Sequence, residues 1–246
     1  MPYDADTAIG GPRDRFPSTR HSLLAVVQAA DSPARRQALD DLIAVYWKPV
    51  YKHVRGKWRA SNEEAKDLTQ AFFAALLDRN LIARFDPSRA SFRTYLRVCL
   101  DGFVAHEREA GRRLKRGGGT VALSLDFAAA EREWEAADPG AAPDEIFERE
   151  WQRQLFALAL ADLAAECAAE KPAHYAVFAA YDLTDGERPS YDELAQRFQL
   201  PATQITNYLA WARRRLRQLV LARLTTVTTS PEEQRREERL LLRARP

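Results

Sequence analysis

Thr203, Gln204, Asn207 and Tyr208 crowd the start of a helical pattern that continues into Arg213, Arg214 and Arg217. Hydroxyls and amides can exchange hydrogen bonds with base edges, and guanidinium groups grip phosphates, so this order of side chains suits a nucleic-acid groove. A solvated basic surface helix would carry the same charges, so the flanking elements must decide. Upstream, Ser190 and Glu193 have the spacing of a capping box, which starts a helix at 190. Leu194, Ala195 and Phe198 give that helix one apolar face. Pro201 cannot continue it but suits the first turn of a new one, which places the break near Leu200. Beyond the break, Ile205, Leu209, Ala212, Leu216 and Leu219 recur at steps of four, three, four and three and define a buried stripe. A capped helix, a tight turn and a longer cationic helix form the pattern of a helix-turn-helix.

Charge along the chain points the same way. The net charge is only +2, but residues 93–116 hold seven basic and three acidic side chains, and residues 203–224 hold five arginines and no acid. Between them, residues 131–150 carry eight acids against two arginines. Two basic faces parted by an acidic stretch suit two contacts with one polyanion; plain segregation of solvated charge is the alternative. The first basic stretch supplies Arg93, Arg97, Arg108, Arg112, Arg113, Lys115 and Arg116, interleaved with Phe92, Tyr95 and Phe103. Cations beside rings suit opened single-stranded DNA, although these aromatics also sit at core spacing with Leu96 and Cys99.

The elements that must position these groups read as helices throughout, so the expected fold class is all-α. After an N-terminal arm (1–20), helices are expected over 22–30 and 35–58, with a kink or break at Pro49. A capping box at Ser61 and Glu64 starts the next, to about 79, and another runs from about 91 to 113. Gly117, Gly118 and Gly119 open a flexible linker, 117–143. The chain therefore divides into two small helical domains, 21–116 and 144–224, followed by a C-terminal extension, 225–246. Leu240, Leu241 and Leu242 beside alternating charges suggest that the extension packs on one of the two DNA-facing domains. In the helix after Ser61, Asp67 and Gln70 point away from the apolar stripe and Phe73 flanks them, a mixed patch that could receive a protein partner or be covered within the bundle.

Other functions find little support. No apolar run approaches the ~20 residues that span a bilayer, no hydrophobic leader begins the chain, and Cys99 and Cys167 read as small buried residues in a reducing cytoplasm. His21, His53, His106 and His174 form no metal-binding spacing, and the glycine triplet lacks the residues of a phosphate loop. Neither a catalytic site nor a cofactor is expected.

DLTQAFF, FRTYL with the basic helix that follows, and YDELAQRF through ARRRLRQL together resemble the extracytoplasmic-function sigma factors of bacteria, the small two-domain initiation factors of RNA polymerase. FPSTRHSL is also similar to the opening of one branch of that family, so the resemblance spans roughly residues 16–224. It implies that the helix with Asp67, Gln70 and Phe73 docks on the clamp of the large polymerase subunit. It implies that residues 93–116 meet and help to melt the minus-ten element of promoter DNA, while the helix from Ala202 reads the minus-thirty-five element. An anti-sigma factor or other regulator is a further candidate partner. Lys66 and Ala71 stand where the family commonly has acids, Gln199 where a turn glycine is frequent, and Gly102 where an asparagine is frequent. A helix-turn-helix repressor that binds duplex DNA without polymerase is the alternative, though it leaves the basic stretch at 93–116 without a role.

Overall fold

The computed structural model describes residues 33–78, 81–111, 125–136 and 141–243; the expected N-terminal arm, the helix over 22–30 and the run from Arg112 to Arg116 lie outside them. Every regular element among the described residues is helical, as expected. In order these are α1 (Pro33–Lys57), α2 (Asn62–Asp78), a 3₁₀ turn (Leu81–Arg84), α3 (Phe92–Gly111), α4 (Phe127–Glu135), α5 (Pro143–Glu170), α6 (Pro172–Asp182), α7 (Tyr191–Phe198), α8 (Ala202–Val227) and α9 (Pro231–Arg243). None of these helices is long and apolar enough to cross a membrane.

Of the kink or break expected at Pro49, the break does not occur, and α1 runs on through the proline. A proline there forfeits the hydrogen bond to the Val45 carbonyl, yet Leu42, Val45, Tyr46, Val50 and Val54 around it are all buried. Burial of that stripe against α5, the most extensive helix pair in the molecule, outweighs one lost bond. Two polar ties reinforce the pair: Gln154 donates to the Ala44 carbonyl at 2.8 Å, and the buried Lys52 and Glu150 form an ion pair at 2.8 Å.

Two expectations about organisation need correction. The stretch 117–143 is not simply a flexible tether, because residues 127–135 fold as α4. Asp126 caps it by accepting from the Ala129 amide at 3.0 Å, and Phe127 and Ala130 are buried. Its acids meet the basic side of α1: Arg55 binds Glu131 with two nitrogens at 2.6 and 3.1 Å, and Lys48 and Lys52 bind Glu133 at 2.8 and 2.7 Å. The alanine-and-acid composition that reads as a solvated spacer is thus an amphipathic helix with a cationic partner. Nor do the described residues of 21–116 and 144–224 form separate cores. Their buried apolar side chains form one continuous cluster, with α5 packed on α1 and also on α8. Arg223 of α8 clamps the three together, reaching Asp162 at 2.7 Å and Asp41 at 3.3 Å.

The end of α1 is fastened to α3 through Asp101. Its carboxylate accepts from His53 Nε2 at 3.0 Å, Trp58 Nε1 at 3.1 Å and Lys57 Nζ at 2.7 Å. Partial burial disfavours the charge, but these donors outweigh it and hold the Asp101 carboxyl at about 2, below the ordinary 3.8. A depressed folded value stabilises the protein above the unfolded value, and that contribution is lost as pH falls toward the folded one. Asp101→Asn is therefore expected to cost about 2 kcal/mol at neutral pH. It should also flatten the loss of stability between about pH 4 and about pH 2, as urea unfolding across that range would show.

The described part of the C-terminal extension, to Arg243, packs as part of the fold. Helix α8 continues to Val227, Ser230 accepts from the Glu233 amide at 3.1 Å, and α9 returns to the start of α3. Leu241 is buried while Leu240 stays 45% exposed.

Candidate nucleic-acid interface

The capped helix, the turn and the second helix form as their residues require. Ser190 Oγ accepts from the Glu193 amide at 3.2 Å and Glu193 accepts from the Ser190 amide at 2.7 Å, so the capping box is closed. Helix α7 ends on Gln199 in the left-handed region, at φ 54° and ψ 43°. The Leu200 amide reaches back to the Ala195 carbonyl at 3.0 Å, which completes the stop. Glycine is absent from this turn, so Gln199 bears the steric cost of a Cβ there. Gln199→Gly is expected to raise stability by about 0.5–1 kcal/mol, measured as a shift in the urea midpoint at constant slope. Pro201 caps α8, its carbonyl accepting from the Gln204 and Ile205 amides at 2.8 and 3.2 Å.

Helix α8 then turns most of the expected stripe inward: Ile205, Leu209, Ala212 and Leu219 are buried, and Leu216 is half-buried. At about 100° per residue, Thr203, Asn207, Arg214 and Arg217 fall within an arc of about 80° on the opposite side. All of these side chains, and Gln204 beside them, are exposed. Among the described residues neither Arg214 nor Arg217 has a carboxylate partner. From Thr203 to Arg217 the face runs about 21 Å, longer than the ~12 Å width of a major groove. Its polar start and cationic end can therefore contact bases and the flanking backbone at once.

The remaining expected contacts on α8 have other occupations. Tyr208 stacks on His174 of α6, with ring centroids 3.8 Å apart and 18° between planes. Trp211 meets the same imidazole edge-on at 5.0 Å and lies 4.7 Å from Lys171 Nζ. Burial and the neighbouring Lys171 charge both push the His174 value down, which favours the neutral ring in the stack. Arg213 forms a two-pronged ion pair with Asp182 at 2.8 and 2.9 Å, and so fixes α8 to the end of α6. Lys171, His174 and Asp182 were not foreseen as part of this surface. They belong to a different helix pair, and no spacing along the chain ties them to α8.

The basic stretch of α3 is arranged differently from its sequence reading. Arg93 is ion-paired with Glu148 and Glu237, each at 2.7 Å, and lies 4.1 Å over the Trp151 ring. Arg97 faces Asp144 at 3.4 Å, and Arg108 binds Glu64 at 2.9 Å. Arg112, Arg113, Lys115 and Arg116 lie outside the described residues. Phe92 and Phe103 are core residues, and the Tyr95 hydroxyl donates to the Leu81 carbonyl at 2.7 Å. The exposed side of α3 carries no arginine among the described residues: Val98, 62% exposed, lies there with Gly102, Ala105, His106 and the acid Glu109.

On α2, Asp67 is exposed and Gln70 partly so, but Phe73 is completely buried and packs edge-on against Phe72 at 5.6 Å. The mixed patch expected there is corrected accordingly: its aromatic member belongs to the core. Asp67 instead lines an open groove between α2 and α3 with Glu64, Leu68, Glu107, Arg108 and Gly111. Compared with protein-family models, curated proteins and solved structures, the chain matches none.

Proposed function

We propose that this chain is a transcription initiation factor of the sigma type, which binds core RNA polymerase and carries it to a particular class of promoter. In this reading residues 144–224 read the minus-thirty-five element through α8, and residues 21–116 contact and help to melt the minus-ten element. One observation carries it: the outward face of α8 aligns Thr203, Asn207, Arg214 and Arg217 behind a closed turn, with both arginines unpaired among the described residues. The sequence resemblance supplies the polymerase, and Asp67 in the α2–α3 groove and the half-buried Gln70 on the same helix are the side chains offered to its clamp. The factor would act in the cytoplasm without a cofactor or catalytic chemistry of its own.

Run-off transcription with purified core polymerase and a promoter library tests this, paired with gel shifts with and without polymerase. Promoter-selective transcripts that require both components are the expected result. Tight binding of the chain alone to a symmetrical duplex, with no transcription, would replace this reading with that of a repressor.

A further inference from the structure

Arg93, the first arginine of α3, is covered by the chain's own carboxylates. Helix α9 crosses the start of α3, where Glu233 accepts from the Phe92 amide at 2.8 Å and Glu237 binds Arg93 at 2.7 Å. Both glutamates are buried, at 8% and 3% exposed, and lie four residues apart on one face of α9. Glu233 also accepts from the Thr229 amide and hydroxyl at 2.8 and 2.6 Å, which joins the helix to the chain entering it. From the other side, Glu148 of α5 closes on Arg93 and Asp144 faces Arg97. A free helix amide beside two guanidinium groups is an anion-binding arrangement, and here carboxylates fill it.

Among the described side chains apolar packing of α9 is slight: Leu241 is the buried apolar one, Leu240 is 45% exposed, and the stretch from Pro231 to Arg239 is dominated by charge. Ion pairs taken out of water contribute little net stability, because desolvation offsets their attraction. A helix held this way can leave when a competing polyanion offers the same contacts.

We propose that α9 is an intramolecular cover that keeps α3 in a closed state, with Glu233 and Glu237 standing where the phosphates of opened DNA bind. The proposal rests on the DNA-binding role assigned above to α3. Single-stranded DNA displaces the helix and takes over the Phe92 amide and Arg93.

The test measures the affinity of the full chain for a labelled single-stranded DNA oligonucleotide at low salt. E233Q/E237Q is expected to bind about tenfold more tightly than the unaltered protein, because the competent state no longer has to be freed. E232Q/E238Q removes the same charge from glutamates that bond to Arg235 and Gln234 of α9 itself, and is expected to change nothing. Equal affinity of all three chains, with promoter-selective transcription intact, overturns the cover alone; failure of every chain to bind DNA overturns the DNA role with it. Should the double variant unfold, hydrogen exchange on the unaltered protein decides. Faster exchange over 231–243 on adding the oligonucleotide supports the cover, and unchanged protection there rejects it.

Discussion

Replacing Asn207, Arg214 and Arg217 together by alanine is expected to reduce promoter-dependent transcription about 100-fold or more. All of these side chains are exposed on the outward face of α8 and take no part in the core, so the variant should unfold at the same temperature as the parent. The single changes separate the roles. Arg214→Ala and Arg217→Ala should weaken binding to every sequence alike and each lower the salt slope by about one counterion, as phosphate contacts do. Asn207→Ala should instead relax the preference at one or two base pairs, at a cost of about 1–3 kcal/mol. Arg213→Ala is the contrast: bound to Asp182 at 2.8 Å, it should lower stability and leave sequence preference alone. A promoter series in which the triple variant transcribes as well as the parent would remove α8 as the reading element.

The second large effect concerns the fold. Lys52 of α1 and Glu150 of α5 are 4% and 5% exposed and pair at 2.8 Å within the largest helix contact of the molecule. Lys52→Met leaves a buried carboxylate with no nearby cation except Arg153, which is mostly in solvent at 4.0 Å. The expected loss is about 3–5 kcal/mol, a large share of a domain's stability. Glu133, also bound to Lys52, loses less because it is 44% exposed and keeps Lys48. Removing both charges, as K52M/E150L, should restore stability to within about 1 kcal/mol of the parent, because desolvation then disappears with the attraction. Urea unfolding of the parent, both single variants and the double variant closes the cycle. A double variant as unstable as Lys52→Met would mean that packing, not the unpaired charge, sets the loss.

Local grammar was legible from residue order. The capping box at Ser190 and Glu193, the break before Pro201 and the stripe from Ile205 to Leu219 each depend on neighbours within a few turns, and all formed as read except that Leu216 is only half-buried. The left-handed Gln199 was foreseeable for the same reason, since a helix stop at this spacing demands that backbone whichever residue occupies it. That α1 continues through Pro49 was not legible, because the local cost of a proline is visible in sequence while the burial that outweighs it is not.

What the sequence by itself determined was therefore the helical class, most of the helix limits and the outward face of α8, all set by interactions between residues close in the chain. Tertiary structure alone decided which charges stay free. Arg93 finds Glu237 across 144 positions, Arg55 finds Glu131 across 76, and Phe73 disappears into the core. Side chains so far apart meet only after the helices pack, and the same packing that leaves Arg214 in water places Arg93 against carboxylates.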